Sequence, residues 1–147
     1  MREFFASIYE NIVYEGAFNL IYKQMFLDQG YIYIGLLFLL IPLVVLAAFY
    51  FERWFPYMKW WHWGIAVLVS SILVFGSTVA VFNIKILATS NPDLANALAN
   101  PNSGYLEHAK SLRYLYGVIN VGLALICSLI YSAALKRFSK LHSHLPI

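Results

Sequence analysis

The chain alternates between long charge-free apolar runs and short segments that collect its charge. Gln29 to Phe51 gives 23 residues without Asp, Glu, Lys or Arg, Trp60 to Ile84 gives 25, and Tyr114 to Leu135 gives 22. A hydrocarbon core of ~30 Å is crossed by about 20 residues of α-helix. Each run therefore suffices for one crossing and none for two. Backbone polar groups in hydrocarbon must be paired within the chain, which leaves helices or a closed barrel. The period-two alternation of barrel strands is absent. The pattern predicts an all-α integral membrane protein with transmembrane helices near 31–51, 63–84 and 113–135.

The segment 3–28 has a different rhythm. Glu3, Ser7, Glu10, Asn11, Glu15, Asn19, Lys23 and Asp28 recur mostly at helical spacing, with Phe4, Phe5, Ile8, Ile12, Val13, Leu20, Ile21, Met25 and Phe26 over the remaining surface. This predicts one amphipathic helix lying in the membrane interface or packed on its own bundle, with Gly30 as the joint to the first span. The polar stripe is mainly acidic, unlike most lipid-binding helices, which suits a protein partner. Pro42 removes one backbone donor from the middle of the first span and predicts a kink there.

The connection 85–113 carries a helix start signal: Asn91 as N-cap, Pro92 in the first turn and Asp93 favourable to the dipole. A short helix through "DLANALA" is expected, closed by Asn100-Pro101 and the turn Asn102-Ser103-Gly104. The organisation is thus a single membrane domain over 1–147, with an arm (1–29), a three-span bundle (30–135) and a basic tail (136–147).

Composition agrees with this pattern. Hydrophobic residues make up 61% and charged residues 12%, against about 45–50% and about 25% in soluble domains. The net charge is +3 without a basic stripe, so nucleic-acid binding is not indicated. The single cysteine, Cys127, excludes an intrachain disulfide.

Small and hydroxyl residues recur inside the second and third runs. Asn120, Ala124, Ser128 and Ser132 form one stripe at four-residue spacing; Ala66 with Ser70, and Gly76 with Ala80, repeat the small-xxx-small pattern. Such residues let helices approach closely and bond across the interface. Ser70, Gly76, Ala80, Asn120, Ala124, Ser128 and Ser132 are accordingly the expected helix-packing positions, within the chain or against a partner.

All four tryptophans lie in "FERWFPYMKWWHWG", residues 51–64. Tryptophan concentrates where membrane meets water. Trp54, Trp60, Trp61 and Trp63, with Lys136 and Arg137, are therefore read as lipid-interface residues. Tyr31, Tyr33, Phe82, Tyr105, Tyr114 and Tyr116 are read as the belt on the opposite face. Basic residues beside the span ends are denser on the side of Arg53, Lys59, Lys136, Arg137 and Lys140, which places the C-terminus in the cytoplasm and the N-terminus outside. A bacterial inner membrane fits this orientation.

Candidate chemistry is sparse. No Asp, Glu, Lys or Arg falls inside a run, which disfavours a proton relay. His62 and His108 sit at opposite ends of the spans and cannot share one haem; His142 and His144 lie in the tail. Ser103, Glu107, His108 and Lys110 are explained by a helix start. No cofactor and no metal is expected, and His62 is the one residue that anchoring does not require, a candidate for a ligand contact. The expected role is a non-catalytic small polytopic subunit of a larger membrane assembly, with membrane lipids and other subunits or copies of itself as partners. The layout resembles three-span phage holins, which implies the alternative of a homo-oligomeric pore. It also resembles, in helix order, the stator and energy-transducing subunits of the bacterial inner membrane. A small enzyme or carrier completed by another chain is the third reading.

Overall fold

A computed structural model of the protein describes residues 2–51 and 60–137. Trp54, with the rest of 52–59, and Lys140, His142 and His144 lie outside the described residues. The elements are α1 (Arg2–Val13), α2 (Asn19–Leu27), α3 (Gly30–Phe51), α4 (Trp60–Phe82), a π-helical turn (Asn83–Leu87), α5 (Pro92–Ala99) and α6 (Tyr105–Lys136). Among the described residues there is no strand. Three stretches are long and apolar enough to cross a membrane: Gly30–Phe51, Trp61–Leu87 and Tyr105–Lys136.

These three pack together through one repeated spacing. The helix α3 buries Gly30, Ile34, Phe38, Pro42, Leu46 and Tyr50. The α4 helix and its π turn bury Ser70, Val74, Thr78, Phe82 and Ile86, and α6 buries Leu112, Tyr116, Asn120, Ala124, Ser128 and Ser132. These positions recur every fourth residue, and Tyr31, Gly35, Val67, Ala109 and Gly117 are buried beside them. An α-helix turns once in 3.6 residues, so a stripe with this longer repeat winds around its helix. Pro42 faces the interior inside an unbroken helix.

Glycines mark the closest approaches. A Cβ on Gly117 would stand 2.7 Å from the Phe75 ring, and one on Gly35 would stand 2.6 Å from atoms of the Phe5 ring. Phe75 of α4 and Phe5 of α1 therefore occupy the space that side chains would fill.

The N-terminal arm differs from the single helix expected over 3–28. The chain leaves α1 at Tyr14, passes through a 3₁₀ turn at Gly16–Phe18, and starts α2 at Asn19. Gly16 is a poor helix former, and the break is closed by tertiary bonds. The Tyr22 hydroxyl donates to the Val13 carbonyl at 2.7 Å and accepts from the Glu15 amide at 3.2 Å. The arm packs on the bundle through buried Phe5, Ala6, Tyr9, Ile21, Tyr22 and Met25. The joint to α3 also differs. Gln29, not Gly30, takes the left-handed conformation, with φ at 57°. Gly30 is instead a close-approach site, where a Cβ would lie 2.7 Å from the Met25 sulfur.

The start of α5 follows the sequence signal. Asn91 is the N-cap, and its side chain accepts from the Asp93 amide at 3.1 Å. Its other end reaches the arm, where Asn91 Nδ2 donates to Gln24 Oε1 at 2.7 Å. Together with Tyr105 Oη donating to the Ala17 carbonyl at 3.1 Å, this gathers α2, α5 and the start of α6 at one end of the bundle.

Candidate functional site: a polar node that fastens the arm to the bundle

Asn120, at the midpoint of α6, is fully buried. Its amide donates to the Ile34 carbonyl at 2.9 Å and to Thr78 Oγ1 at 2.8 Å. Thr78 passes its own proton to the Val74 carbonyl at 2.7 Å. The remaining atom, Asn120 Oδ1, accepts from the Tyr9 hydroxyl. One side chain thus joins α1, α3, α4 and α6, with both amide hydrogens and the carbonyl oxygen in use.

Three tyrosines close the node. The Tyr9 and Tyr31 rings stack at 5.9 Å, and Tyr9 meets Tyr116 edge-on at 5.2 Å. The Tyr31 and Tyr116 hydroxyls stand 3.5 Å apart. Tyr31, Tyr116 and Phe82 are fully buried. These three were expected in an aromatic belt at the surface; the structure places them in the core, because their rings face the arm and the neighbouring spans. Burial pushes the Tyr9 phenol well above its ordinary value, and the Asn120 hydrogen bond offsets only part of that rise.

A second polar cluster surrounds His108 near the start of α6. The imidazole stacks on Phe18 at 4.0 Å, with Nε2 3.3 Å from the Tyr22 hydroxyl and Nδ1 3.7 Å from a Glu15 oxygen. Tyr22 uses its proton on Val13, so the proton of the contact with His108 belongs to Nε2. Burial also raises the Tyr22 phenol, with the Glu15 amide opposing it. These contacts join the arm hairpin to the start of α6.

The expected helix-packing residues divide into two groups. Ser70, Asn120, Ala124, Ser128 and Ser132 are buried within the chain. Ser128 Oγ donates to the Ala124 carbonyl at 2.7 Å, and Ser132 Oγ accepts from Trp63 Nε1 at 2.8 Å. Gly76 and Ala80 face outward, and among the described residues a Cβ on Gly76 would meet nothing within 4 Å.

Among the residues expected at the lipid interface, Trp61 is exposed and stacks on His62 at 3.7 Å. Trp63 directs its N–H into the bundle at Ser132 rather than outward, a long-range bond that local spacing does not announce. Trp60 begins α4, Lys136 ends α6, and Arg137 caps it through its amide to the Ala134 carbonyl at 3.3 Å.

The π turn was not foreseen. It presents Asn83 to Arg113, whose Nη1 donates to Asn83 Oδ1 at 3.2 Å while Nη2 donates to the Tyr114 hydroxyl at 2.7 Å. A local widening of the helix of this kind leaves little trace in hydrophobic periodicity. Among the described residues no three of His, Cys, Asp and Glu converge on a point that could hold a metal ion. No family model, curated protein or solved structure matches the chain.

Proposed function

We propose that the protein is a non-catalytic, small polytopic subunit of a larger membrane protein assembly, contributing helix packing and lipid-interface anchoring. The observation that supports this most is the outer face of α4. There Ile72, Gly76, Ala80 and Ile84 follow one another at four-residue spacing, all exposed. The two small residues make a notch between two bulky ones, and no side chain of the described residues lies within 4 Å of a Cβ built on Gly76. A helix of a second membrane protein seats in such a notch through backbone approach. In this reading the acidic outer stripe of the arm is a second contact for the partner, Trp61 lies at the interface, and the C-terminus is cytoplasmic.

The homo-oligomeric pore draws little support by comparison. Thr78, Asn120 and Ser128, which a lumen would need, have their hydrogen bonds inside one copy.

Isolation from the native membrane in mild detergent, followed by native mass spectrometry, tests the proposal. Different chains should accompany the protein, and Gly76→Leu should remove them while leaving the melting temperature of the purified subunit unchanged. A Gly76→Leu protein that retains all its partners would refute this docking face. A defined homo-oligomer that conducts ions in planar bilayers would favour the pore instead.

A further inference from the structure

We infer that the arm hairpin carries a binding site for a zwitterionic headgroup, one with an ammonium and a phosphate, as in an amine-bearing phospholipid. The site is an open cleft of about 300 Å³ between α1 and α2, lined by Glu10, Tyr14, Asn19, Tyr22, Lys23 and Phe26. That volume lies at the small end of ligand pockets, so it accepts a headgroup and leaves acyl chains outside.

The lining provides both halves of a zwitterion's recognition. Tyr14 offers an exposed ring, tilted against the buried Tyr22 ring with centroids 5.0 Å apart, and Phe26 adds another beside it. Ring faces attract ammonium groups, and Phe26 already faces a cation, the Arg2 guanidinium at 5.4 Å. Glu10 supplies the carboxylate that an ammonium needs, and Lys23 supplies a cation for a phosphate. Although they line the same cleft, Glu10 and Lys23 make no ion pair with each other or with any other described residue; the Glu10 carboxylate also interacts with the Tyr31 hydroxyl, which leaves it further acceptor capacity. The wall is held in shape, because the Tyr22 hydroxyl is fixed to Val13, Glu15 and His108.

The position suits a lipid. Phe4, Ile12, Tyr14 and Leu27 of the same hairpin are exposed apolar residues, which would enter the acyl boundary beside the cleft. This inference rests on membrane residence alone. The α4 notch lies elsewhere, and although Glu10 also belongs to the acidic stripe proposed as a second partner contact, lipid retention is read on the purified chain without that partner, so the two proposals fail separately.

The test uses the delipidated full-length protein in mild detergent. Short-chain phosphatidylethanolamine, phosphatidylcholine or phosphatidylglycerol is added, and bound lipid is counted by native mass spectrometry. The two ammonium lipids should be retained and phosphatidylglycerol should not. Glu10→Gln should lower retention of phosphatidylethanolamine about tenfold, the effect of losing one charge-assisted hydrogen bond. Tyr14→Leu, at an exposed position, should lower it as well and decides the matter if Glu10→Gln fails to fold. Soluble glycerophosphoethanolamine separates the sources: displacement shows that the headgroup suffices, and Glu10-dependent binding that resists it assigns the site to the whole lipid. Equal retention of phosphatidylglycerol, or unchanged retention in folded Glu10→Gln, overturns the inference.

Discussion

Asn120 shows how one side chain can set the arrangement of a membrane bundle. In hydrocarbon, apolar burial gives helices little reason to prefer one neighbour over another, and hydrogen bonds between them average ~0.6 kcal/mol. Asn120 concentrates three such bonds at one point. Tyr9→Phe should therefore destabilise the protein by about 1 kcal/mol, because Asn120 Oδ1 loses its donor in a dry site. In a double-mutant cycle with Asn120→Leu, thermal unfolding in detergent should give a coupling of about 0.5–1.5 kcal/mol; additive effects would break the link between arm and node. The same contact has a pH signature. The Tyr9 pKa is raised on folding, so its neutral phenol contributes fully below the unfolded value of about 10 and loses that contribution as pH climbs from there towards the folded pKa. Difference ultraviolet titration of wild type against Tyr9→Phe should show Tyr9 ionising later than a free tyrosine, and an ordinary titration would contradict its burial.

At the level of elements, two glycines make opposite predictions. Gly35→Ala drives a methyl into the Phe5 ring. It should loosen α1, seen as faster amide exchange through Phe5–Tyr9, with the three spans still folded. Gly76→Ala meets open space and removes a poor helix former, so the isolated chain should be unchanged or up to about 1 kcal/mol more stable. Similar exchange behaviour in the two variants would show that α1 is not seated on Gly35. The helices themselves were legible because charge-free length and cap chemistry are local. Asn91-Pro92-Asp93 announces α5, and the Asn120–Ser132 stripe announces the inner face of α6. The arm was harder. Its break at Tyr14–Glu15 depends on Tyr22 reaching back to Val13, and its docking depends on Tyr9 finding Asn120, a residue 111 positions away. Contacts at that range leave no periodic signal, so tyrosines that build the core looked like interface tyrosines.

The whole molecule has two ends with different contents. One gathers α1, α2, α5 and the first turns of α6; the other holds a small cluster of Leu46, Tyr50 and Val67 with Trp63 and Tyr131 packed beside it. If the three long helices cross the membrane, single cysteines at exposed Asn11 and Asn96 should react with an impermeant reagent from one side and Arg137→Cys from the other, in a Cys127→Ala background. Labelling of Asn11→Cys and Asn96→Cys from opposite sides would contradict the three-span reading. The four-residue stripes and the π turn also fix which changes of chain length the protein can survive. Loss of one residue from a helix turns everything beyond it by about 100°, so deleting Ile72 would swing the first part of α4 away from the core despite that residue's 62% exposure. Deleting the similarly exposed Ile84 would only shrink the π turn to an ordinary α turn, keeping Phe82 and Ile86 in phase. The π turn Asn83–Leu87 is the place in the Trp61–Leu87 span where an insertion or deletion can be absorbed, and natural length variation in this span is expected to collect there.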